Sequence, residues 1–232
     1  MVARDIALAR NDSMKESVAA IHAIVKAQKI SSDPASPSIT VEGSAREAAL
    51  AEWLVGELAN PSPAPYGHGF IMPHDNDDVT VVVGGLRLGA PGAAGAVRAA
   101  TLPDLQDIIN AIRVLCDITR TVVYAPTNLL VWRGKVWQND LALWLLRELA
   151  GPPSVNWTAP ISHRLDKASP SVRLFYFAPE TTIQVLGQMV STIRSKAPVQ
   201  RVVAINAERA IVVRGSDIEA AAAERLVAAA RH

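Results

Sequence analysis

Three stretches of this chain keep one register. Ala20-Ile21-His22, Ala111-Ile112-Arg113 and Thr192-Ile193-Arg194 each lead, 22 residues from the Ile without a gap, to Gly43, Gly134 and Gly215. Each glycine closes a β-branched or apolar run: Ile39-Thr40-Val41-Glu42, Leu130-Val131-Trp132-Arg133 and Ile211-Val212-Val213-Arg214. Eight residues past each glycine an alanine opens a similar stretch, Ala51-Glu52-Trp53-Leu54, Ala142-Leu143-Trp144-Leu145 and Ala223-Glu224-Arg225-Leu226. A repeat in register constrains the fold more than length does, because it replaces one large domain with a small module used in tandem.

The module reads out from its residues. Met14, Val18 and Ile21 match Leu105, Ile109 and Ile112, and Leu186, Val190 and Ile193, at the four-and-three spacing of one helix face. A short strand follows, clearest in Thr121-Val122-Val123-Tyr124 and Arg201-Val202-Val203-Ala204 and poor in Lys29-Ile30-Ser31-Ser32. A turn then leads into the run that ends at the glycine, making a hairpin. Gly43, Gly134 and Gly215 are structural turn residues, expected in a left-handed or otherwise crowded backbone. After them, Ser44 with Glu47 and Ser216 with Glu219 fit the capping box of a helix N-terminus, whereas the second copy has Lys135 and Gln138. The closing helices carry Leu50, Leu54 and Leu58, then Leu141, Leu145 and Leu149, then Ala222, Leu226 and Ala230.

Opening strands are expected at Val172–Phe177 and Val79–Val83, with an incomplete counterpart at Ile6-Ala7-Leu8. The fold class is therefore α+β: three tandem β-α-β-β-α modules, each a small sheet covered on one face by two helices. The modules fall at 1–60, 79–151 and 171–232, with Pro-rich polar linkers at 61–78 and 152–170 and a Gly/Ala-rich insertion at 84–100 in the second copy.

Composition narrows the function classes. Half of the 232 residues are hydrophobic and 19% are charged, enough for packed cores and too apolar for a disordered tether. The 23 basic and 22 acidic residues nearly cancel, so no global field attracts nucleic acid or anionic lipid. The single cysteine, Cys116, excludes an internal disulfide framework and matches apolar Val25 and Ala197. No stretch approaches the roughly 20 apolar residues of a membrane-spanning helix, and Met1–Arg10 carries Arg4, Asp5 and Arg10 where a signal-peptide core would be apolar.

The order β-α-β-β-α, the ending Ala210-Ile211-Val212-Val213-Arg214-Gly215-Ser216 and the following Ala223-Glu224-Arg225-Leu226 resemble the N-terminal periplasmic modules of bacterial secretins. Val41-Glu42-Gly43-Ser44 and Trp132-Arg133-Gly134 carry the same pattern in the other copies. Secretins form outer-membrane rings in type II and type III secretion and in type IV pili, and these modules stack as rings that dock inner-membrane partners. The resemblance implies a non-catalytic scaffold that self-associates, as a ring or filament, or binds other envelope-complex proteins. It implies a periplasmic location, with the cytoplasm the alternative if it does not hold. It brings no catalytic, metal or cofactor residues, and nothing in the chain matches the β-rich channel domain of a secretin.

Other chemistry is weaker. The glycines of the insertion, Gly84, Gly85, Gly89, Gly92 and Gly95, lack the spacing of a dinucleotide or phosphate loop, leaving a nucleotide-binding enzyme as a remote alternative. His68, His74, Asp75, Asp77 and Asp78 supply oxygens without a zinc or calcium pattern. A KH-like single-strand binder shares the element types, but it needs Gly-x-x-Gly between two helices and a basic groove. The expectation is no cofactor and no nucleic-acid partner. Trp53 and Trp144 share one repeat position and, with Trp132 and Trp137, are the interface candidates, although completing the module core competes with that role.

Overall fold

The periodicities become thirteen strands and six α-helices in the computed structural model, which describes residues 1–8, 14–32, 36–59, 67–89, 97–150, 159–164 and 170–230. The first copy runs β1 (Val2–Ala7), α1 (Met14–Ile24), β2 (Lys29–Ser32), β3 (Ser38–Gly43) and α2 (Ala45–Ala59). The second runs β4 (His68–Met72), β5 (Asp75–Val83), β6 (Arg87–Gly89), β7 (Val97–Ala99), α3 (Leu102–Leu115), β8 (Arg120–Tyr124), β9 (Leu129–Lys135) and α4 (Val136–Ala150). The third runs β10 (Ile161–His163), β11 (Ser171–Tyr176), α5 (Ile183–Lys196), β12 (Arg201–Ile205), β13 (Ala210–Gly215) and α6 (Asp217–Ala230).

The three principal sheets have the orders β1-β3-β2, β4-β5-β9-β8 and β10-β11-β13-β12, all antiparallel in their pairings. In each, the opening strand pairs with the strand that ends at the repeat glycine, so the chain forms small sheets covered by helices in a mixed α+β fold. The opening strand of the first copy is not incomplete: β1 pairs with β3 from Val2–Gly43 to Ala7–Ser38. Its polar outward residues hide it from a search for apolar runs, since a strand with one solvated face needs apolar residues only at alternate positions.

Strands β4 and β10 lie in the stretches read as linkers and add an edge to the second and third sheets. The insertion contributes a small hairpin, β6 with β7, whose tip, including Gly92 and Gly95, lies outside the described residues.

The repeat glycines sit at or near strand ends and have no positive φ. Crowding accounts for two of them: a Cβ on Gly215 would lie 2.8 Å from Glu219 Oε2, and one on Gly134 would lie 3.0 Å from Gln138 Oε1 and 3.2 Å from Ile118, whereas one on Gly43 would make ordinary contact with Ala27 at 3.4 Å. The left-handed backbone is found at Asn128 (φ 53°) and Arg209 (φ 48°), equivalent residues that follow the 3-10 turns Ala125–Thr127 and Asn206–Glu208. Such turns need one residue with φ > 0 to bring the second strand back in register.

Two compact units result, Met1–Leu86 with Ile118–Asn139, and Arg87–Asp117 with Asp140–His232. In the first, helices α1 and α2 form a middle layer between two sheets. Ile6, Ile39 and Val41 of the first sheet and Met72, Val82, Leu129 and Val131 of the second belong to one apolar cluster with Ile21, Ile24, Leu50 and Leu54. In the second unit one sheet lies between helices. Val202, Ile211 and Val213 pack with Leu186, Ile193 and Val227 of α5 and α6. The alternate residues Leu174, Ile205, Ala210 and Val212 are also buried. Arg214, on that second face, reaches the carbonyl of Leu115 at the end of α3. Both four-stranded sheets are thus buried on a face that a self-contained module would leave to water.

Candidate functional site

Each unit contains the same joint. At its centre lies the arginine that precedes or nearly precedes the strand end, Arg133 on β9 and Arg214 on β13, equivalent positions counted from the repeat glycines. Arg133 donates from Nη1 to the Ile24 carbonyl at 3.3 Å, and Arg120 donates to the same carbonyl at 2.9 Å. Arg214 donates from Nη1 to the Leu115 carbonyl at 2.6 Å. Ile24 and Leu115 are themselves equivalent and end α1 and α3, where unsatisfied carbonyls and the negative dipole end attract a cation.

Carboxylates complete each joint. The Arg133 guanidinium forms a fork with Asp78 (Nε to Oδ1 2.8 Å, Nη2 to Oδ2 2.6 Å) and another with Glu47 (Nη1 to Oε2 3.0 Å, Nη2 to Oε1 3.1 Å). Its side chain is only 6% exposed. Burial by itself would lower the guanidinium pKa, but Asp78 and Glu47 outweigh it and hold it above the ordinary arginine range. The hydrogen bond from Arg133 in turn pulls the Asp78 carboxyl below its usual range, against the opposing effect of burial. In the second unit Asp117 takes this part, accepting from Arg214 at 2.7 Å and from Arg201, the equivalent of Arg120, at 3.1 Å. A cleft of about 540 Å³ opens beside the Arg133 cluster, lined by Lys26, Asp75, Asp77, Asp78, Arg120 and Lys135 among others. Within it Asp77 pairs with Lys135 at 3.5 Å and accepts the Val136 N–H.

A second repeated contact flanks the arginine. Trp53 on α2 meets Phe70 on β4 with ring centroids 5.4 Å apart, and Trp144 on α4 stacks on His163 of β10 at 4.6 Å. Each tryptophan therefore packs on the edge strand that opens the following sheet, and the third copy has the exposed Arg225 at this position. Trp132 is fully buried, its indole N–H donating to Asn139 at 2.8 Å, so it offers no surface to a partner. Trp137 is half-buried.

The capping residues divide in use. Ser216 and Glu219 exchange backbone bonds, Glu219 N to Ser216 Oγ and Ser216 N to Glu219 Oε2 at 2.7 Å. In the first copy Ser44 Oγ accepts from Glu47 N, while the Glu47 carboxylate is engaged by Arg133 and by the Lys26 N–H. In the second, Lys135 N donates to Gln138 Oε1, so the glutamine supplies half of the box. Burial pushes the Cys116 thiol up to about 12, which keeps it protonated at neutral pH. No group of three or more His, Cys, Asp or Glu side chains arranged for a metal occurs among the described residues. His68 pairs with Glu57, and Asp78 is held by Arg133.

One titrating group escaped the sequence reading. Glu208, in the turn between β12 and β13, is buried, and its Oε1 has no hydrogen-bond partner among the described residues. Burial raises its pKa to about 8, with Arg98 of β7 opposing and Asp104 of α3 reinforcing, and Tyr176 of β11 feels its charge. A folded-state pKa above the unfolded value means that the unfolded chain loses this proton first. Stability therefore declines as pH rises from about 4.5 through about 8. Glu208→Gln is expected to remove that slope and to gain on the order of 2 kcal/mol at pH 8. Denaturant unfolding at pH 5 and pH 8 checks this, and an equal effect at both would refute it.

No protein-family model matches the chain, and no curated protein matches it by sequence. Among solved structures it is similar to the cryo-EM structure of the ETEC pilotin–secretin AspS–GspD complex, with 14% identity and a TM-score of 0.21. It is also similar to ExeD of Aeromonas hydrophila, with 13% identity and a TM-score of 0.23. Each alignment covers 98% of this chain but only 37% and 41%, respectively, of those chains. A likeness this slight assigns no function. No helix among the described residues is long and apolar enough to cross a membrane.

Proposed function

We propose that this chain is a non-catalytic scaffold of secretin-like modules that mediates self-assembly or protein docking in a secretion or pilus envelope complex, with the periplasm as its compartment. The observation that carries the reading is the joint present in both units. A helix end capped by the next sheet's arginine and a tryptophan laid on the next sheet's edge strand recur at equivalent positions. A module built to bury its sheet under a neighbour's helices is a stacking unit, and its side chains are spent on packing and mutual ion pairing. The sequence pattern around Val213-Arg214-Gly215-Ser216 gives the envelope context.

Multi-angle light scattering and cross-linking of the full chain across a wide concentration range test it, beside nucleotide thermal-shift and single-stranded RNA titrations. Oligomers, or stoichiometric binding to a purified envelope protein, are the expected result. Salt-dependent RNA binding, or a melting-temperature rise with a common nucleotide, would replace the scaffold with one of the other two classes.

A further inference from the structure

The joint has two sides, a helix side and a sheet side, and among the described residues one of each is uncovered. The helix side of the third copy is α5 with α6; the sheet side of the first copy is the outer face of β1, β3 and β2. At several equivalent positions these two differ from the covered pairs, although Glu219 keeps the carboxylate of Glu47 and Lys29 keeps the positive charge of Arg120 and Arg201. On the helix side, Ile24 and Leu115 are replaced by exposed Lys196, Ala20 and Ala111 by half-buried Thr192, and Trp53 and Trp144 by exposed Arg225. Val185 on α5 is 45% exposed. On the sheet side, Arg133 and Arg214 are replaced by Glu42, Val131 and Val212 by Thr40, and Val122 and Val203 by Ser31. Val82 and Leu174, which face Val131 and Val212 across the pairing, are replaced by Asp5 opposite Thr40.

The substitutions are complementary. The helix side gains Lys196 and Arg225 where the sheet side gains Glu42 and Asp5, and the central arginine is exchanged for a glutamate facing the position of a lysine. We infer that the outer sheet face of the first copy receives the α5 face of a second copy of this chain, head to tail, with Glu42 opposite Lys196. The inference rests on the scaffold reading and names its partner. Glu42 is now held by Lys29 at 3.1 Å on the exposed face, and Thr40 donates to Asp5 at 2.6 Å, so docking exchanges the first pairing for a second one. A contact of this polarity is weak and salt-sensitive beside the two joints within the chain, which bury apolar residues around their ion pairs. A heterologous contact of this type continues from copy to copy.

The test is a charge exchange in the full chain. Wild type is expected to associate reversibly in sedimentation velocity at low salt and to dissociate as salt rises. Glu42→Lys and Lys196→Glu should each weaken association at least about tenfold, since like charges then face each other. An equimolar mixture of the two variants should associate as wild type does. Circular dichroism serves as the folding control, both side chains lying at the surface. A wild type monomeric at all concentrations would make the two polar faces solvent-exposed end caps and overturn the inference, leaving docking to a different protein as the scaffold's role. Association unchanged in both variants would also overturn it, placing self-assembly on another surface.

Discussion

Arg133→Ala is expected to cost about 3–5 kcal/mol of stability, read as a lowered denaturant midpoint, because it leaves the paired carboxylates without their cation. Asp78 and Glu47 both lose bidentate partners, and the Ile24 carbonyl loses one of its two guanidinium donors. Arg133→Lys should recover only part of the loss, since an ammonium cannot fork to two carboxylates and reach a helix end at once. The effect also has a pH signature. Asp78 has a folded-state pKa below the unfolded 3.8, so its contribution is present above that value and lost as pH falls through the lower one. Acid unfolding of Arg133→Ala should therefore lack this component. A loss below about 1 kcal/mol, or an acid profile parallel to wild type, would show that the cluster is a solvated surface pair.

Trp132→Ala is expected to cost a similar amount, about 3–5 kcal/mol, through the cavity left by a fully buried indole and the unpaired Asn139 side-chain carbonyl. Urea unfolding followed by circular dichroism measures it. Trp137→Ala, at a half-buried position, should cost less than half as much. This pair separates a core from an interface role. If Trp132→Ala left stability intact but reduced association, the indole would belong to a binding surface after all.

Much of the fold was legible in particular residues. The Ile21, Ile112 and Ile193 register located all three hairpins, and helix spacing located both helices of each copy. Edge strands β4 and β10 were missed because short strands at a sheet border need few apolar residues, and Pro and Gly around them read as linker. Glu208 was missed because burial of a lone carboxylate leaves no mark in local sequence. One signal was present but unused. Leu129-Leu130-Val131-Trp132 and Ala210-Ile211-Val212-Val213 are continuous apolar runs, whereas Ser38-Ile39-Thr40-Val41-Glu42 alternates. Continuous runs mark strands covered on both faces, and alternation marks one solvated face.

The repeat, its strand and helix periods and the capping pattern after the glycine follow from local sequence, because side-chain period and helix capping act within a few residues. The joint does not. Arg133, Glu47, Asp78 and the Ile24 carbonyl come from four separate segments, and only folding brings their charges together. The assignment of Trp53 and Trp144 to the next sheet's edge strand likewise required the third dimension, since each indole's partner lies in a stretch whose sequence resembles a linker. Periodicity is a local property, and ion pairing between modules is a property of their packing.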